Sequence, residues 1–141
     1  MGVHRGFSGE PELRHNKDGR TATLLADFSF TDRMGVVHEA KKDFRFDGLS
    51  IPPVFWGLIA SPYTVALEAG IIHDAEWRKA YEMDPDEMLA AMHRANRTFS
   101  EILVYLADQY HRQDISALKR YLMFTAVQKA AIVKYKERLR S

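Results

Sequence analysis

His73 and Asp74 stand side by side in a stretch with helical spacing, Trp77 follows four residues after the histidine, and Asn96 interrupts an apolar seam further along. A histidine next to a carboxylate on a helix offers two kinds of chemistry. The pair can hold a divalent cation, with Asp74 as carboxylate ligand, provided that further histidines or carboxylates converge on the ion. His4, His15, His38, His93 and His111 show no paired spacing that would supply them, and the competing reading is a core histidine whose ring is hydrogen-bonded. Alternatively, His73 is a general base that activates water, oriented by an acid or amide on a facing helix. Asn96 is the candidate for that orienting group, because a buried amide needs partners; an asparagine in a seam also fixes helix register. Asp47 and Ser50 flank a tight turn and join Trp77 as candidate binding residues. Side chains of this kind most often bond nearby backbone amides, so stapling the turn is the competing role. Ser50 lacks the G-x-S-x-G elbow of a serine nucleophile.

The elements that must position these residues follow from periodicity. Ser61-Pro62 is a good helix start, a serine N-cap with proline behind it. From residue 65 to 81, Glu68, Ala75, Arg78 and Lys79 share one stripe, which is expected to face solvent. His73 lies nearly opposite, among Ala66, Ala69, Trp77 and Ala80, and is expected to point inward, with Asp74 on the flank. A second helix opens at Asp84-Pro85-Asp86-Glu87 and carries Leu89, Met92, Asn96, Phe99, Leu103, Leu106 and Tyr110 along one seam. A third, capped by Asp114, carries Ile115, Leu118, Leu122, Ala126 and Val133 and ends in Lys134, Lys136, Arg138 and Arg140, where positive charge suits the helix dipole.

Ahead of the helices the period is two. Leu24, Ala26, Phe28 and Phe30 share a strand face, residues 31–35 make a turn, and Val36 to Phe46 returns as the second strand of a hairpin. Ile51-Pro52-Pro53 ends the sheet. Residues 1–20, with four glycines and a proline among charges, read as an amino-terminal arm. The expectation is one α+β domain over 1–141: arm 1–20, β-hairpin 21–46, loop 47–60 and helical part 61–141. In it a small antiparallel sheet packs on a bundle of about three helices.

Composition narrows the function classes. The chain has 141 residues, 46% of them hydrophobic, and no cysteine, so a disulfide framework and a thiolate metal site are both excluded. Twenty basic against 19 acidic residues give a formal charge of +1, which predicts no nucleic-acid partner. The apolar run from Ile51 to Ala60 is too short to cross a bilayer. The start, Met-Gly-Val-His-Arg-Gly, fits neither a signal peptide nor a myristoylation signal. The expectation is a protein without membrane insertion.

Four ordered motifs carry a family resemblance. Phe44-Arg45-Phe46-Asp47-Gly48-Leu49-Ser50-Ile51-Pro52 with Phe55-Trp56-Gly57-Leu58-Ile59, then His73-Asp74 with Trp77, then Ala95-Asn96-Arg97-Thr98-Phe99-Ser100-Glu101-Ile102-Leu103, and Tyr121-Leu122-Met123-Phe124-Thr125-Ala126-Val127 resemble the phage and prophage family called domain of unknown function 1353. The family's tyrosine after the histidine is Trp77 here, and its helix aspartate falls on Asn96. The resemblance implies a phage or prophage virion protein of the tail or head–tail apparatus. It would be made in the host cytoplasm and reside in the virion, with other virion proteins as partners. The paired helices also resemble, loosely, those of phospholipase A2, which implies a small hydrolase of lipid or cell-envelope material as the alternative. His73 would then be the base, Asp74 the ligand of a divalent cation and Asn96 the orienting group; an amide there supports an imidazolium less well than a carboxylate does.

Overall fold

The structure, a computed structural model, describes residues 5–18, 21–46, 67–109 and 116–141. Asp47, Ser50, the Ser61-Pro62 start and the Asp114 cap lie outside them. Six short strands precede three helices: β1 (Gly6–Phe7), β2 (Leu13–His15), β3 (Ala22–Leu24), β4 (Phe28–Thr31), β5 (Val37–Ala40), β6 (Arg45–Phe46), α1 (Leu67–Ala80), α2 (Pro85–Gln109) and α3 (Ala117–Arg140). The class is α+β, as the sequence predicts.

The expected hairpin is present but bent into two sheets. Its outer half pairs β4 with β5, Phe28 opposite Ala40, and its inner half pairs β3 with β6, Ala22 opposite Phe46. The two halves share one register, and the break falls where Lys42 N–H turns to the Asp27 carboxylate at 2.7 Å and Asp43 takes a left-handed φ of 74°. At the far end Asp32 shapes the turn: its Oδ1 accepts from the N–H groups of Met34 and Val36, each at 2.9 Å, and Gly35 supplies the positive φ of 86°. Period-two burial holds on the inner face, where Ala22, Leu24, Phe28, Phe30 and Phe46 are all buried.

The amino-terminal stretch differs from expectation. Instead of a bare arm, it adds a third strand to each half, giving the orders β1-β4-β5 and β2-β3-β6. Glycine-rich sequence hid two strands too short to show a period. Phe7 anchors the first, stacking on Phe28 at 5.4 Å and meeting Phe30 and Tyr105 at 5.0 and 5.6 Å. Gly6 makes this approach feasible, because its φ is 133° and a Cβ there would lie 2.6 Å from the Tyr105 hydroxyl.

α1 lies between the hairpin and α2 and is buried on both sides. Ala69, His73, Trp77 and Ala80 are buried, and so are Ile72 and Ala75. Of the stripe expected to face solvent, Arg78 and Lys79 are exposed, but Ala75 is enclosed against the hairpin: the Arg78 guanidinium lies over the Phe44 ring at 5.2 Å, and Lys79 Nζ donates to the Glu39 carbonyl at 3.3 Å. Long basic side chains cover apolar surface with their stems while their charged ends stay in water, so an exposed pair can border an enclosed alanine. α2 holds its seam as read, with Met92, Asn96, Phe99, Leu103 and Leu106 buried. α3 is rotated from expectation. Met123, Ala126, Val127 and Ala131 face inward while Leu118 and Val133 are exposed, and Ser116 caps it by accepting from Lys119 N–H at 3.2 Å.

Gly6→Ala should cost about 1–3 kcal/mol, since a side chain would occupy a φ that L residues avoid and press on a ring held by two phenylalanines. Urea denaturation measures this, and a neutral substitution would show that β1 does not contribute to stability.

A buried histidine–asparagine–tryptophan centre

Three helices meet at Asn96. From α1, His73 Nε2 lies 2.6 Å and Trp77 Nε1 3.1 Å from Asn96 Oδ1; towards α3, Asn96 Nδ2 donates to the Val127 carbonyl at 3.0 Å and to Gln128 Oε1 at 2.7 Å. Gln128 Oε1 also lies 2.9 Å from His93 Nδ1. The partners fix every orientation. An indole N–H can only donate, so the Asn96 atom beside it is the oxygen; a backbone carbonyl can only accept, so the other atom is the amide nitrogen. His73 Nε2 must therefore carry a proton and donate it, and Nδ1 carries the lone pair. By the same logic Gln128 Oε1, already accepting from Asn96, accepts from a protonated His93 Nδ1.

The centre is dry. His73 is 1% exposed and Asn96 fully enclosed, and the imidazole lies between the rings of Trp77 and Phe99 at 4.8 and 4.9 Å. Burial pushes the His73 pKa down to about 4, outweighing the opposing effect of the Asn96 bond, so the ring is neutral at neutral pH. Asp74 is buried as well, although a flank position was expected. Among the described residues no three histidine, cysteine, aspartate or glutamate side chains converge to hold a metal. His73, Trp77 and Asn96 are brought together as the sequence suggested, whereas Asp47 and Ser50 lie outside the described residues.

Sequence reasoning missed Gln128, His93 and the Val127 carbonyl. Their only signal was indirect, since an amide in an apolar seam demands partners from a third element. It also missed a second polar cluster. His38 on β5 has Asp32 Oδ2 at 2.9 Å from Nε2 and Glu76 Oε1, on α1, at 3.1 Å from Nδ1. The Glu76 contact is short in distance, although Oε1 makes no well-aligned hydrogen bond. Carboxylates on both nitrogens require an imidazolium. Glu76 first, and then Asp32, raise the His38 pKa to about 9 against the cost of burial. For Asp32 burial pushes upward, but His38 and the Val36 and Met34 amides prevail and hold its carboxyl below the usual range.

Asn96→Asp would face the Val127 and Gln128 oxygens with a group that has no donor, and should cost about 2–3 kcal/mol in urea denaturation. Trp77→Phe, which removes one donor and leaves the amide otherwise satisfied, should cost about 1 kcal/mol beyond its packing loss. The aspartate would also raise the His73 pKa above 4, readable by NMR titration; an unchanged value would refute the orientation derived for this centre.

The two histidines should give stability a maximum near pH 6.5. His73 has a folded pKa below its unfolded value, so its contribution is lost as pH falls from about 6.5 towards 4. His38 has a folded pKa above its unfolded value, so its contribution is complete below about 6.5 and is lost as pH rises through about 9. Each limb has a slope of at most about 1.4 kcal/mol per pH unit. His38→Gln should flatten the alkaline limb of a stability–pH curve and leave the acid limb in place.

Comparison with known proteins places the chain. The sequence profile described as "Protein of unknown function (DUF1353)" matches residues 22–127. An uncharacterized protein, y4iH, of Sinorhizobium fredii (strain NBRC 101917 / NGR234) is 32% identical over 82 residues, which cover 52% of this chain and 34% of that protein. A second from the same strain, y4jT, is 44% identical over 52 residues, covering 36% of this chain and 16% of that protein. The chain thus spans about a third or less of the length of these relatives. No solved structure matches. With β3 to β6, α1, α2 and the first part of α3 inside the matched range, the chain belongs to the DUF1353 family of proteins of unknown function.

Proposed function

We propose that this chain is a non-enzymatic, architectural component of a phage or prophage particle, of its tail or head–tail apparatus, and that the His73–Asn96–Trp77 centre serves to lock its helices together. The observation that carries this reading is that all four hydrogen-bonding positions of Asn96 are taken by protein groups, on Trp77, Val127, Gln128 and a neutral His73 that is 1% exposed. A general base has to reach a water and a substrate. The motif likeness supplies the phage association, and the short coverage of longer relatives suits a module built into larger proteins. The partners would be other virion proteins, and the protein would reside in the virion. No helix among the described residues is long and apolar enough to cross a membrane.

One observation favours a second reading, a small hydrolase of lipid or cell-envelope material. His73 Nδ1 is buried, bears the lone pair, and has no hydrogen-bond partner among the described residues. A donor on the Nε2 side and a bare nitrogen on the other is how an amide orients a catalytic imidazole.

Mass spectrometry of purified particles, together with infectivity of a deletion strain, separates the two. The chain should co-purify with particles, and its deletion should leave them defective. Intact infectious particles lacking the chain, combined with hydrolysis of phospholipid vesicles or wall fragments by wild-type protein but not by His73→Gln, would replace the architectural reading with the hydrolase.

A further inference from the structure

A groove of about 620 Å³ opens between the β4–β5 turn and α2, and none of the buried centre's side chains line it. Arg5, Arg33, Arg94 and Arg97 line it, and Val36, Val104 and Phe124 give it apolar walls. The four guanidiniums are not equivalent. Arg5 Nε and Arg33 Nε lie 3.4 and 3.7 Å from the Glu101 carboxylate, whose Oε2 also accepts from the Arg33 N–H at 3.0 Å. Arg94 and Arg97, one helical turn apart on α2, are exposed and make no ion pair among the described residues. The acids at the site are already engaged: Glu101 by two arginines, Asp32 by His38 and the turn amides. The groove therefore carries surplus positive charge at two fork-shaped donors, above an apolar floor.

We infer that this groove docks an acidic, apolar-bearing peptide segment of a protein partner, with Arg94 and Arg97 clasping its carboxylates and Val36, Val104 and Phe124 receiving its side chains. The inference deepens the architectural reading and rests on it. Charge complementarity selects the occupant, because planar guanidiniums pair with carboxylates in bidentate fashion and arginine is enriched at binding hot spots. A nucleic acid is the poorer match: the chain as a whole carries a formal charge of only +1, and the groove offers carboxylates and aliphatic walls in place of a cationic track with stacking rings. Met34, 80% exposed at the tip of the turn, extends the apolar surface beyond the rim.

The test uses the full chain in two arms. In the first, fluorescence anisotropy follows a labelled peptide alternating glutamate with leucine and phenylalanine, beside the same peptide with glutamine for glutamate and a labelled DNA duplex. The glutamate peptide should bind most tightly, weaken with salt, and lose about tenfold or more in affinity in Arg94→Gln/Arg97→Gln. Lys129→Gln, an exposed change on α3 outside the groove, should leave its affinity unchanged. Equal binding of the glutamine peptide, tighter binding of DNA, self-association of the chain through this face, or indifference to the double variant would overturn the inference. In the second arm, particles are assayed for wild type and double variant. Wild type absent from particles removes the architectural reading itself; wild type and variant present in equal amount removes only the groove.

Discussion

An amide at position 96 is the constraint on which the helical half depends. Its neighbours are an indole N–H, which can only donate, and a backbone carbonyl, which can only accept. No other residue of that size offers two lone pairs on one side and two protons on the other. Because the donors come from α1 and the acceptors from α3, a single α2 side chain sets the relative axial position of all three helices. Apolar packing around it, from Trp77, Met88, Met92, Ala95 and Ala131, supplies attraction but little register, since aliphatic contacts tolerate sliding. The polar centre converts a stack of helices into one arrangement, because each slipped alternative strands buried donors and acceptors.

The opposite side of α1 carries the sheet, and there the joint is charged. His38 takes the turn carboxylate of Asp32 on one nitrogen and the α1 carboxylate of Glu76 on the other, so the end of the hairpin is held to the helix through an imidazolium. The contrast between the two histidines follows from their surroundings. His73 meets one amide oxygen and aromatic rings, and so is driven neutral. His38 meets two carboxylates near the surface and is driven to the charged form. One residue type thus serves as a neutral strut on one side of a helix and as a cationic clamp on the other.

Much of this was legible in the sequence, and the gaps have physical causes. The hairpin, the α2 seam and the inward direction of His73 follow from period two and period 3.6, because burial on one face leaves that mark. β1 and β2 have two and three residues, too few for a period to exist, and their strand character comes from pairing with β4 and β3. The outward reading of Arg78 and Lys79 holds, since both are exposed, but it did not show that their side chains reach back to the hairpin and that Ala75, on the same stripe, is enclosed. The α3 face was misjudged because alanine and methionine fill its inner side, whereas Leu118 and Val133, more hydrophobic by type, stay exposed. Asn96 itself announced a polar centre, but its partners on α3 are a carbonyl, which every residue has, and a glutamine with no distinguishing spacing.

Rigidity inside α2 bears directly on its outer face. Arg94 and Arg97 flank Asn96 in sequence, so the bonds that hold Asn96 to α1 and α3 also fix the backbone from which these two guanidiniums project. Across the groove, Arg33 is held by its own N–H bond to Glu101, and Arg5 lies over the Tyr105 ring at 5.2 Å as well as against Glu101. Binding to mobile side chains costs ordering entropy for each one immobilised. Here part of that cost is met in folding, on both walls, so an anionic partner would lose only the freedom of the outer arginine side chains. A centre sealed against solvent is therefore compatible with a functional role: if the groove binds as proposed, the centre would contribute by holding still the surface from which the two arginines project.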